Sequence, residues 1–182
     1  MKMKRVQLTN GQELHIREAK PEDALAILAY IDQISEETDY LTFGPGEFVI
    51  SVEEEARFIE RLLVSDNKLM ILALIEDMIV GHLSFMGGSR PRTRHTGELG
   101  VSVLQEYWRC GIGTELITYL LAWAKSARII RKINLRVRSD NVGAIRLYEK
   151  LGFVCEGTVT REFYVGGEFY DSIQMGLEID LP

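Results

Sequence analysis

The residues Tyr107-Trp108-Arg109-Cys110-Gly111-Ile112-Gly113-Thr114 constrain this chain more than any other stretch. A strand-like run, Glu98 to Leu104, precedes them, and apolar Ile112, Leu116, Leu120, Trp123 and Ala127 follow at helical spacing. A strand, a glycine turn and a helix start, in that order, make a device for cradling phosphate. Small residues let the backbone come close, helix-start amides point outward unpaired, and the helix dipole adds partial positive charge. Arg109 and Thr114 offer further donors, so a diphosphate fits. The spacing is not G-x-x-x-x-G-K-[ST]. Nor is it G-x-G-x-x-G with an acidic residue at a second strand end, so nucleoside-triphosphate loops and dinucleotide folds are disfavoured. Taken alone, Gly-x-Gly before a helix is also compatible with a purely structural turn.

At 182 residues the chain suits one well-buried domain spanning 1–182 and is short for two. Acidic residues outnumber basic ones by 27 to 21, a net charge of −6, which argues against a general nucleic-acid binder and suits a cationic substrate. Cys110 and Cys155 lack metal-ligand spacing and suggest no disulfide framework. No long apolar run or signal-peptide pattern is present, so a reduced, cytoplasmic protein without membrane or metal is expected.

In chain order, Leu8 to Arg17 around Asn10-Gly11 reads as a hairpin-like opening strand. Pro21-Glu22-Asp23 starts a helix whose apolar stripe is Leu25, Leu28, Ile31 and Ile34. Glu36 to Ile50 reads as a loop. Ser51 and Glu54 match a capping box for a helix through Phe58, Ile59, Leu62 and Leu63, with Glu53–Glu55 as first-turn charge. Leu69–Ile75 and Met78–Phe85 form a hairpin about Glu76-Asp77. A basic loop, Arg90–His95, follows Gly87-Gly88. Lys132–Arg138 is a strand with Ile133, Leu135 and Val137 on one face. Ser139-Asp140-Asn141 caps a helix from Val142 to Lys150, closed by Gly152. Phe153–Val165 and Glu168–Ile179 form a closing hairpin around Gly166-Gly167.

The segment Asn141-Val-Gly-Ala-Ile-Arg-Leu-Tyr-Glu-Lys-Leu-Gly-Phe153, read N-x-x-A-x-x-L-Y-x-K-x-G-F, joins the glycine turn to a second motif across a compatible helix–strand unit. Together they resemble the GNAT N-acetyltransferase superfamily, closest to its ribosomal-protein N-terminal and polyamine branches. The resemblance implies an α/β (α+β) fold. It would have a mixed, mostly antiparallel central sheet of about seven strands flanked by about four helices, its fourth and fifth strands splayed. It also implies acetyl-CoA as donor and a primary amine as acceptor: a protein N-terminus, a polyamine or another small amine. Val101, Ser102 and Val103 would pair with the pantetheine arm. Arg109, Cys110, Gly111, Ile112, Gly113 and Thr114 would hold the pyrophosphate, and Asn141, Ala144 and Lys150 would follow the arm towards the adenosine. Where the family usually begins this loop with Gln or Arg, the chain has Trp108. Tyr148 matches the family's acid.

An alkylammonium must lose a proton before it attacks, so a base is needed. Glu98, among apolar residues and glycines, is the candidate, with partial burial expected to raise its pKa; a strand-edge salt bridge is the competing reading. Glu106 and His95 are weaker candidates. Glu36, Glu37, Asp39 and Asp171 are candidates for lining a cation site. Family analogy adds a homodimer through the C-terminal hairpin. The rival function is a non-catalytic CoA-sensing or partner-binding domain. A phosphotransferase lacks the lysine and metal-binding carboxylates it would need.

Overall fold

The computed structural model describes residues 3–180. Eight strands form one sheet in the order β1-β2-β3-β4-β5-β6-β8-β7. They are β1 (Lys4–Gln7), β2 (Glu13–Glu18), β3 (Lys68–Ile75), β4 (Met78–Gly87), β5 (Thr96–Val103), β6 (Lys132–Arg138), β7 (Val154–Val165) and β8 (Glu168–Glu178). Four α-helices accompany them: α1 (Ala24–Glu37), α2 (Val52–Leu63), α3 (Ile112–Ala127) and α4 (Val142–Lys150). Every pairing is antiparallel except β5 with β6. The sheet therefore has eight strands where about seven were expected. The extra one is β1: the opening hairpin turns at residues 8–12, and its first arm, Lys-Arg-Val-Gln, holds one apolar residue, Val6, which is a weak strand signal.

The two faces follow from strand alternation. Gly81 on β4 turns its Cα towards α3: a Cβ there would meet Ile112 Cγ2 at 3.1 Å and Leu116 Cδ1 at 3.2 Å. Its neighbour His82 points the other way, where its ring lies 6.4 Å from that of Tyr30 on α1. So α1 and α3 cover opposite faces. The β3–β4 hairpin turns through Glu76 and Asp77, both left-handed at φ 48° and 66°, as a two-residue turn that matches strand twist requires. Ser51 and Glu54 form the expected reciprocal cap of α2. Among the described residues no helix is long and apolar enough to cross a membrane.

Two local expectations are corrected. The buried face of α1 is Ala24, Ile27, Tyr30 and Ile34, while Leu25 is 67% exposed. The helix is apolar almost all round (Ala-Leu-Ala-Ile-Leu-Ala-Tyr-Ile), so its sequence cannot choose a face and packing does. On α2, Glu55 is not solvated first-turn charge but is 2% exposed, in line with Ile59 and Leu62; burial raises its pKa.

Candidate active site

β5 and β6 pair over three positions, the last being Glu98↔Asn134, and then diverge. Beyond that point β5 stays bonded to β4. The Leu104 N–H donates to the Val80 carbonyl across the Gly81↔Val103 pair. In an antiparallel ladder that bond makes Ser102↔His82 a hydrogen-bonded pair, so Ser102 directs its N–H and C=O at β4. Val101 and Val103 direct theirs at the open edge. The expected splay is present, and its free edge belongs to the two valines. Ser102 is placed differently: its hydroxyl lies 3.0 Å from the Tyr30 hydroxyl on the α1 face.

The glycine turn follows β5. Gly111 has φ 92°, a left-handed conformation with nothing within 4 Å of where a Cβ would sit, and Arg109 is left-handed too at φ 63°. Gly113 lies inside α3, where a Cβ would stand 3.0 Å from Leu147 of α4. One glycine shapes the turn and the other brings two helices close. The first intrahelical bond of α3 is from Glu115 N to Gly111 O, so the amides of Ile112, Gly113 and Thr114 have no intrahelical acceptor. No side chain caps them. Cys110 is half-buried and Arg109 exposed. Trp108 donates its indole N–H to the Val103 carbonyl at 2.7 Å. It thus closes off one of the open-edge acceptors and leaves the Val103 N–H.

On α4 the Asn141 side-chain oxygen accepts from Ala144 N at 3.2 Å, capping the helix and leaving the amide NH₂ as a donor. Ala144 is half-buried and Lys150 exposed. Tyr148 is 8% exposed, its ring edge-on to Phe153 at 5.9 Å, and burial pushes its hydroxyl up to about 12. It is protonated at neutral pH.

The surroundings expected for Glu98 are corrected. Its side chain is 53% exposed and accepts from Arg136 Nε at 2.9 Å, because the last paired rung sets it opposite Asn134, and Arg136, two residues further on the same face of β6, reaches it in place of an apolar pocket. Arg136 Nη1 also donates to Glu162 at 2.6 Å, and the Ser172 hydroxyl donates to the same carboxylate. These bonds, Ser172 first and Arg136 with it, hold Glu162 below the usual carboxylate range against its own burial. The other acidic candidates scatter. Glu37 accepts from Gln105 N at 2.7 Å, Asp171 accepts from Arg161 N at 2.9 Å, Asp39 lies 3.5 Å from Arg138, and Glu36 is exposed. Glu106 is exposed beside the glycine turn, and exposed His95 offers its carbonyl to Arg131 N and Lys132 N. A separate cleft of 510 Å³ lies along α2, lined by Phe48, Ile50, Phe58, Glu55, Arg57 and Arg61 among others.

Sequence reading missed the residues on the α1 face: Tyr30, His82, Arg136, Arg138 and Glu162. Alternation in β6 was the available signal, since placing Ile133, Leu135 and Val137 in the core puts Asn134, Arg136 and Arg138 on the other face.

Comparison with known proteins bears on this arrangement. A family profile described as the acetyltransferase (GNAT) family matches residues 31–153. The L-amino acid N-acetyltransferase AaaT of Escherichia coli is 30% identical over 116 residues, 64% of this chain and 72% of AaaT. The crystal structure of a GNAT-family acetyltransferase from Streptococcus pneumoniae superposes with a TM-score of 0.89 at 34% identity, covering 92% of this chain and 99% of that one. At 21% identity the fold is also shared with yncA, a putative acetyltransferase from Salmonella typhimurium solved with its cofactor acetyl-CoA. That superposition has a TM-score of 0.80 and covers 92% and 94% of the two chains.

Proposed function

The chain belongs to the acetyltransferase (GNAT) family, and from that membership we propose that it moves the acetyl group of acetyl-CoA directly to the nitrogen of a primary amine. The observation that carries this reading is the fork. An unpaired edge of β5 leads into three free amides at the start of α3, and α3 packs through Gly113 against α4, which carries a buried, protonated tyrosine. A pantetheine arm adds to such an edge as an extra strand would, and a pyrophosphate takes the free amides.

Acetyl-CoA supplies a thioester carbonyl open to attack by an amine, with a thiolate as leaving group. Val101 and the Val103 N–H hold the arm; Asn141 donates its NH₂ to it, Ala144 lines its path, and exposed Lys150 lies towards the adenosine. The Ser102 hydroxyl supports the acceptor face. Backbone N–H groups of Arg109 and of Gly111 to Thr114 take the pyrophosphate, and the Arg109 side chain adds charge. The Cys110 N–H, which donates to the Tyr107 carbonyl at 3.4 Å, shapes the turn. Glu98 removes the amine's proton through water: Arg136 holds one carboxylate oxygen and leaves the other to accept. Tyr148 gives its proton to the departing sulfur. Four carboxylates (Glu98, Glu162, Asp39 and Asp140) accompany two guanidiniums (Arg136 and Arg138) on the acceptor side, a balance that suits a cationic amine. A homodimer through the long edge strand β7, which exposes Val154 and Val159, belongs to the same reading and is checked by light scattering.

Thermal melts with acetyl-CoA, ATP and NADH test the donor. A rise with acetyl-CoA alone is expected. Release of free CoA is then followed with spermidine, an L-amino acid and an alanine-initiated peptide. A melt raised by ATP or NADH instead overturns the donor, and acetyl-CoA binding without CoA release from any amine favours a CoA sensor.

A further inference from the structure

Arg138 ends β6 with its side chain 4% exposed, and three separate segments close around it. From the loop between α1 and α2, the Asp39 carbonyl accepts from Nη1 at 3.1 Å, the Asp39 carboxylate lies 3.5 Å from Nη2, and the centre of the Tyr40 ring lies 4.4 Å from the guanidinium carbon. From β8, the centre of the Tyr170 ring lies 4.2 Å from the guanidinium carbon. From the junction into α4, Asp140 accepts from Nε at 2.7 Å and from Nη2 at 2.9 Å. The Arg138 carbonyl itself accepts from Asn141 N, one bond away from the cap of α4. A planar cation set against two aromatic rings and forked onto a carboxylate has its orientation held by contacts that a lysine cannot reproduce.

The loop it grips has only local structure of its own. Residues 38–50 contain no helix or strand, expose Phe48, Val49 and Ile50, and carry short-range ties only: Glu47 N to Gly44 O, Gly44 N to the Glu47 carboxylate, Tyr40 N to the Thr38 hydroxyl, and the Phe43–Phe48 ring pair. Leu41 packs partly against the core. The polar ties described between this loop and the sheet run through Arg138.

We propose that Arg138 is a positioning residue: it pins the 38–50 loop against the strand–helix junction carrying Asn141, so that occupancy of the cofactor arm at that junction is felt in the loop facing the acceptor. The second half rests on the acetyl-CoA reading above; the pin itself does not. Nothing in the chemistry touches Arg138. Its effect passes through Tyr40 and Asp39 on one side and Asp140 and Asn141 on the other.

Limited digestion with chymotrypsin tests both halves, since Tyr40, Phe43 and Phe48 place cleavage sites in the loop. Wild type, R138M, R138K and Y170A are compared as full chains, with fragments assigned by mass. Without ligand, R138M is expected to be cut within 38–50 at least tenfold faster than wild type, and R138K and Y170A by intermediate factors, with cleavage elsewhere unchanged. R138K and Y170A keep the test decisive if R138M fails to fold. Acetyl-CoA is expected to slow loop cleavage in wild type and to leave it unchanged in R138M, although both bind the ligand in calorimetry. Equal loop cleavage in all four chains overturns the pin, and so does acceleration spread over the whole chain. Equal protection of the loop in wild type and R138M overturns the coupling. A faster loop in R138M combined with no acetyl-CoA binding by wild type leaves the pin standing and removes the donor reading instead.

Discussion

The cofactor side and the acceptor side of the fork are built from different materials. On the cofactor side the groups offered are mostly backbone: valine amides on an open strand edge and three helix-start N–H groups behind Gly111. They are positioned by hydrogen-bonded ladders and by the buried face of α3 (Ile112, Leu116, Ile117, Leu120), so they exist before any ligand arrives. On the acceptor side the groups are side chains drawn from α1, β4, β5, β6, β7, β8 and a loop, and arginines hold them in place. The contrast teaches that donor binding rests on secondary structure. Acceptor choice depends on which side chains the tertiary fold brings together.

The largest effect that would break this comparison lies where the two sides meet. Tyr148→Phe removes the proton donor and keeps the ring. Turnover is expected to fall by about 1,000-fold with acetyl-CoA affinity unchanged, read from kcat and calorimetry on the same preparation. Unchanged turnover would confine Tyr148 to packing.

His82 sharpens the acceptor side. Its Nε2 is buried without a hydrogen-bond partner among the described residues, beside Tyr30, whose own hydroxyl burial pushes well above its ordinary value. Burial pushes the imidazole down to about 4. The unfolded chain takes up this proton near pH 6.5, whereas the folded imidazole does so only near pH 4. Stability should therefore fall as pH drops through that window, by about 2 kcal/mol between pH 7.5 and 5. Urea midpoints should show this slope flattened in His82→Gln. A variant that keeps the full slope would show that water reaches the cluster.

Two glycines compare the sides directly. Gly111 and Gly46 both have positive φ, 92° and 74°, and open space where a Cβ would be, so alanine costs about 1 kcal/mol of backbone strain at either. Gly111→Ala should weaken acetyl-CoA about tenfold, because the strained turn carries the amides. Gly46→Ala, in the 38–50 loop, should leave acetyl-CoA affinity where it is. Equal losses would mean that the donor site extends into the loop.

The smallest effect is on α3. The Tyr119 hydroxyl is buried without a hydrogen-bond partner among the described residues, and burial pushes it up to about 12. Tyr119→Phe should raise stability by about 1 kcal/mol in urea, with acetyl-CoA binding unaffected. A loss instead would reveal a partner for that hydroxyl.

Legibility in the sequence divides along the same line. The Gly-x-Gly turn, the Asn141 cap and the alternation of β6 are local patterns, and the structure has each where the pattern puts it; the α3 stripe holds at Ile112, Leu116 and Leu120, while towards the helix end Ala124 is buried and Trp123 and Ala127 are half-buried. The matched family region ends at Phe153, so most of the closing hairpin lies outside it. There the pairing of Ser172 with Glu162, and of Tyr170 with Arg138, depends on β7 and β8 register shifts that no short motif announces. The buried face of α1 was misread for a related reason: with apolar residues on every side, only packing against β4 selects Ile27 and Tyr30 over Leu25.

By itself the sequence determined where backbone must bend, cap and alternate, because those requirements act over a few residues and leave marks such as Gly111, Ser51 and Asn141. Only the tertiary structure decided that Glu98 would face an arginine instead of an apolar pocket, and that the Val103 carbonyl would be taken by Trp108. It also decided that Arg138 would sit against two tyrosines separated by 130 positions in the chain. Those outcomes depend on which strand lies beside which, and sheet order is set by the burial of the whole chain.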